Sequence, residues 1–151
     1  MIDVFCLGTP HVSGDALGPL VGTMLQQHRF DEDIRIIGTV KEPVTYTNYT
    51  RYKEMLRPDA YIIVVDATVG NNVGTYEFVN EPTKPGGALN TGIEPIGNLS
   101  VKAYTGRNLN EMLQAKHWSV AELAHRITTE LRDLLSNNKN KDIYRDKIYN
   151  I

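Results

Sequence analysis

The sequence predicts a three-layer α/β/α sandwich with a mostly parallel central sheet. Strand-like apolar runs alternate with segments of helical period. The run Tyr61-Ile62-Ile63-Val64-Val65 is continuous and largely β-branched, as suits a central strand covered on both faces. A long helical stripe near the end of the chain supplies a covering layer.

Residues 2–7 read as a buried first strand, followed by a glycine-punctuated loop over 8–14. Leu17, Leu20, Val21, Met24 and Leu25 then recur at helical spacing, predicting an amphipathic helix from Asp15 to about Gln27. Pro19 fixes its start within 13–18, because proline fits only the first turn, where its missing N–H is not needed. Ile34, Ile36, Ile37 and Val40 predict a second strand over 33–40, and residues 47–56 a short helix stopped by Pro58. Tyr46, Tyr49 and Tyr52, three apart, read as one packed face of that helix rather than a stacking platform.

The third strand begins at Tyr61 and ends in Asp66-Ala67. A fourth is expected over 74–79, and residues 81–97, with Pro82, Pro85 and Pro95 among four glycines, must form an irregular loop. Another strand over 99–104 and a short helical turn over 108–113 follow. Val120, Leu123, Ala124, Ile127, Leu131, Leu134 and Leu135 mark a last helix over 119–136, with Ser119 and Glu122 as a capping box. Residues 1–136 are expected to form a single domain, and 137–151 a polar tail in which Ile143, Tyr144, Ile148 and Tyr149 offer apolar docking points.

Composition narrows the function. With 151 residues, 41% hydrophobic and 23% charged, the chain can bury the core of one globular domain. A net charge of −2 gives no basic field for nucleic acid or an anionic membrane. The apolar runs fall far short of the roughly 20 residues of a membrane span, and the start lacks a signal peptide's basic region. The lone Cys6 lies within the first strand and has no partner for an intramolecular disulfide, which fits a cytoplasmic protein.

The opening loop raises the question of phosphate binding. Neither G-x-x-x-x-G-K-[ST] nor G-x-G-x-x-G is present, and Asp15 stands where a phosphate loop would have lysine. Asp15 alone could be a helix N-cap favoured by the macrodipole. Asp66 alone could accept hydrogen bonds from neighbouring loop amides. If the strand order begins 2-1-3, however, both aspartates face the crevice where α/β sheets gather their chemistry. Close together, they would share a proton, one pKa raised and the other lowered, giving an acid and a base; alternatively they would ligate a divalent metal. His11 lies beside the crevice; His28, His117 and His125 form no metal pair, and Ser13 has no nucleophile elbow.

The stretches "CLGTPHVSGDALGPLVGTML" and "IIVVDATVG" resemble the YyaC-type sporulation proteins. "KPGGALNTGIEPIGNLSV" and "NLNEMLQAKHWSVAELAHRI" are similar to further parts of that family, so the resemblance spans about residues 4–135. It implies the fold of the hydrogenase maturation proteases and the spore germination protease, and a peptidase activity. The germination protease's proposed catalytic aspartates fall on Asp15 and Asp66. In the maturation proteases an acidic residue, an aspartate and a histidine hold the nickel of the substrate. The histidine is expected near "AYTGRNLNEM", where this sequence has none, which favours the two-aspartate reading over metal recognition.

The expected catalytic residues are therefore Asp15 and Asp66, with no cofactor and no metal site. Gly8, Thr9 and Gly70 would supply oxyanion N–H groups, His11 and Gly14 would flank the cleft, and Gly86 and Gly87 would rim it. The partner is a protein or peptide substrate, with no nucleic acid or membrane and with self-association left open. The alternative is a non-catalytic protein that holds a peptide, a partner or a metal in the same crevice; a nucleotide-binding domain is disfavoured by Asp15.

Overall fold

The computed structural model describes residues 1–31, 33–86 and 92–136. The expected tail over 137–151 and Gly87 lie outside the described residues. Five strands form one sheet: β1 (Ile2–Cys6), β2 (Ile34–Ile37), β3 (Tyr61–Val69), β4 (Tyr76–Val79) and β5 (Leu99–Gly106). Their order is β2-β1-β3-β5-β4, parallel except for the edge strand β4. The expected 2-1-3 beginning is present, so the ends of β1 and β3 are neighbours.

A 3-10 turn, Gly14–Ala16, leads into α1 (Leu17–Gln26). The other helices are α2 (Tyr49–Lys53), α3 (Leu109–Leu113) and α4 (His117–Ser136). Alternation along the strands divides the apolar residues between two faces. Ile2, Val4 and Cys6 of β1 join Ile63, Val65, Val101 and the buried stripes of α1 and α4 in the larger core. Phe5 and Val64 point the other way, onto Leu7, Ile37, Val44 and Tyr49. Each fully buried leucine or isoleucine contributes about 1.5–3 kcal/mol, so the larger core, which the buried faces of α1 and α4 cover, contributes more than the smaller one.

Two expectations are corrected. β3 does not end at Asp66: it continues to Val69 because β5 pairs with it beyond Asp66, through Ala67↔Ala103 and Thr68↔Tyr104. Helix α4 begins at His117, with the Ser119 and Val120 N–H groups both donating to the Lys116 carbonyl, so Ser119 lies inside the first turn and caps nothing. That turn is exposed, so apolar periodicity could not reveal it.

The glycines of the opening loop serve close packing. A Cβ on Gly18 would lie 2.0 Å from the Leu7 carbonyl oxygen, so only glycine lets α1 sit this tightly on the end of β1. Gly8 has a positive φ of 136°, and its missing Cβ makes room for the Asp15 carbonyl. At the opposite end of the sheet, buried Asp3 accepts from the Arg57 amide at 2.8 Å and pairs with the Arg57 and Arg35 guanidiniums. Burial alone would raise the Asp3 carboxyl, but its Arg57 and Arg35 partners outweigh it and hold it below the usual range. No helix among the described residues is long and apolar enough to cross a membrane.

Candidate active site

β1 stops at Cys6, opposite Val65, while β3 runs on. The resulting notch exposes Asp66 just beyond the carboxyl end of β1, on the sheet face it shares with Val64. After β1 the chain turns through Gly8 and Thr9 and re-enters the fold at the 3-10 turn carrying Asp15. The Thr9 N–H donates to Asp15 Oδ2 at 2.8 Å, fixing the carboxylate. The segment that follows β2 continues the pairing beyond β1: Leu7 forms a parallel bridge with Val44, and the Gly8 N–H donates to the Val44 carbonyl at 3.0 Å.

Asp15 and Asp66 both line a cavity of about 640 Å³. Its other walls are Leu7, Val12, Val44, Leu109, Met112 and Leu113, with the tyrosines Tyr46 and Tyr49 and the loop residues Pro85, Gly86 and Ile93. Among the described residues no lysine, arginine or histidine lines it. Lys102 is in register with Asp66 on β5, yet its ammonium pairs with Glu81 at 2.6 Å. The carboxylates therefore have no cationic partner in the cavity wall.

Burial pushes the Asp15 carboxyl up to about 6, against the pull of the Thr9 N–H. Burial, and after it the charge of Asp15, push Asp66 well above the ordinary range, with the Ala67 N–H opposing. The expectation of one raised and one lowered pKa is thus corrected: burial dominates at both sites, and no cation depresses either. The charge of one carboxylate disfavours a second charge in the same cavity, so the two protons leave in separate steps.

The remaining expected site residues divide. Gly8, Thr9 and Gly86 stand on the cavity wall. His11 is exposed and outside that wall. Gly14 is buried against Met112, where a Cβ would lie 2.3 Å from the carbonyl oxygen, and Gly70 packs against the Tyr104 ring. The three amides expected to hold an oxyanion are engaged: Gly8 with Val44, Thr9 with Asp15, and Gly70 N–H with the Gly106 carbonyl at 3.0 Å. Cys6 is fully buried, and that burial pushes its thiol up, away from nucleophilic use.

Among the described residues no three His, Cys, Asp or Glu side chains stand together as metal ligands. Where the resemblance places a nickel-binding histidine, the cavity wall carries Leu109 and Met112. Two carboxylates without a nitrogen or sulfur donor do not suit nickel.

Sequence reasoning missed Tyr49. Its ring belongs to the smaller core, 5.9 Å from Phe5 between centroids, while its hydroxyl is buried with no hydrogen-bond partner among the described residues. Nothing in the local pattern separates Tyr49 from Tyr46 and Tyr52; its place depends on the distant bridge between Leu7 and Val44.

The family model described as "Protein of unknown function (DUF1256)" matches residues 1–127. The Bacillus subtilis (strain 168) protein named "Uncharacterized protein YyaC" is 32% identical over 105 residues, 66% of this chain and 51% of that protein. The match thus spans about half the length of that relative. The crystal structure of the [NiFe] hydrogenase maturation protease HycI from Thermococcus kodakarensis KOD1 superposes with a TM-score of 0.64 at 18% identity, covering 90% of this chain and 92% of that one. An uncharacterized protein from Wolinella succinogenes does so with a TM-score of 0.53 at 12% identity, covering 88% and 95%. These likenesses establish the mixed α/β protease-like fold.

Proposed function

The chain belongs to the DUF1256 family, and from that premise we propose that it is a peptidase in which Asp15 and Asp66 activate water against a peptide bond. The observation that supports this most is the pair itself: Asp15 and Asp66 line one largely apolar cavity in which, among the described residues, no cation faces them, so burial raises both carboxyls. In this mechanism the pair holds one proton at neutral pH, and we assign it to Asp66. Ionised Asp15 takes a proton from water as the water oxygen bonds to the carbonyl carbon. When the C–N bond breaks, Asp66 gives its proton to the departing amine. Asp15 is then protonated and Asp66 ionised, and one proton passing back restores the starting state. The apolar walls suit an apolar side chain of an extended polypeptide, and the protease named among the structural relatives agrees with the reaction class.

One observation favours a second reading, in which the crevice binds a peptide without cutting it: the amides of Gly8, Thr9 and Gly70 already have acceptors. The test is to incubate the wild type, Asp15→Asn and Asp66→Asn with a peptide library and with small acid-soluble spore proteins, mapping new termini by mass spectrometry. New termini with the wild type alone are expected. Equal cleavage by either variant contradicts the two-aspartate mechanism, and peptide retention without new termini favours the binding reading.

A further inference from the structure

We propose that Tyr49 is a further catalytic residue, its phenol donating a hydrogen bond to the carbonyl oxygen of the scissile peptide as that oxygen becomes an oxyanion. This inference rests on the peptidase reading. Tyr49 lines the same cavity as Asp15 and Asp66, and only 7% of its surface is exposed. Among the described residues its hydroxyl has no hydrogen-bond partner. Leaving such a group unsatisfied costs about 1–3 kcal/mol, and phenylalanine would fill the same space without that cost. Folding therefore does not explain the hydroxyl, whereas a substrate carbonyl would satisfy it.

The surroundings hold the phenol ready. The Asn48 side chain accepts from the Thr45 N–H at 2.8 Å and donates to the Pro43 carbonyl at 3.0 Å, bracing the turn that delivers Tyr49. Phe5 and Val64 share the smaller core with its ring, and the buried hydroxyl feels the charge of Asp66, which sets it on the aspartate side of the cavity wall. Burial, and then the charge of Asp66, push the phenol pKa up, keeping the proton in place to be donated. The phenol donates a hydrogen bond throughout and transfers no proton; the two aspartates conserve the protons of the hydrolysis. It would supply what the engaged amides of Gly8, Thr9 and Gly70 do not.

The experiment compares wild type, Tyr49→Phe and Asp66→Asn on a peptide that the wild type cleaves, with kcat, KM and thermal midpoint measured for each. A preorganised oxyanion donor is worth about 10²–10³ in kcat, and Tyr49→Phe is expected to lose that much. KM should stay within about twofold, and the thermal midpoint should hold or rise. If Asp66→Asn is inactive while Tyr49→Phe keeps kcat within about twofold, Tyr49 has no such role and the peptidase reading stands. A lowered thermal midpoint with only proportionate loss of activity makes the hydroxyl structural and overturns the proposal. Absence of cleavage by the wild type removes the peptidase reading, and the role of Tyr49 with it.

Discussion

Replacing Asp15 by asparagine should stabilise the fold at neutral pH. Asparagine keeps an oxygen to accept from the Thr9 N–H, now at 2.8 Å from Oδ2, but carries no charge into the cavity. The wild-type carboxyl rises from 3.8 to about 6 on folding. A raised folded pKa means that the native state binds more protons than the unfolded state between those values, so wild-type stability falls as pH rises through that window. At 1.36 kcal/mol per unit the whole shift amounts to about 3 kcal/mol. Because the carboxylate is partly open to the cavity, screening reduces this to about 1–2 kcal/mol. Urea denaturation of wild type and Asp15→Asn at pH 4 and pH 7 reads the difference. The variant should have nearly wild-type stability at pH 4 and exceed it at pH 7. A variant less stable than wild type at pH 7, or a gain that does not vary with pH, would refute the reasoning that burial raises this carboxyl.

Two further outcomes follow from the same geometry. The kcat of peptide cleavage should rise with pH as Asp15 ionises, with a midpoint near its value of about 6, and fall at higher pH as Asp66 loses its proton; a profile flat from pH 5 to 9 would contradict the assignment of base and acid. Gly18→Ala places a Cβ 2.0 Å from the Leu7 carbonyl oxygen, so it should lower stability by about 2–3 kcal/mol or prevent folding; an unchanged urea midpoint would show that α1 can move without cost.

The parts of this molecule legible in its sequence are those set by local pattern. The β-branched run from Tyr61 to Val65 and the stripe of α4 marked the central strand and its covering layer, and with them the crevice between Asp15 and Asp66. What was not legible depends on chain partners far away. Asp66 lies within β3 rather than at its end because β5, over thirty positions later, pairs beyond it. Gly14, which read as a neighbour of the cleft, is small because Met112 packs on it. The Gly8 and Thr9 amides, which read as oxyanion donors, face acceptors that only the folded loop provides. Tyr49 reaches the cavity wall through packing with Phe5 and Val64, both distant in the chain. The loop first read for phosphate instead holds a carboxylate by a backbone amide, while its glycines let α1 approach the sheet.

That Asp15 and Asp66 share one proton at neutral pH is the claim on which the rest depends, and carboxyl-carbon NMR titration of both side chains, in wild type and in Asp15→Asn, tests it without a substrate. Asp15 should titrate near 6 and Asp66 well above the usual carboxyl range, with the Asp66 midpoint falling when the charge of Asp15 is removed. Two carboxyls that both titrate below 5, or an Asp66 midpoint indifferent to Asp15→Asn, would contradict it.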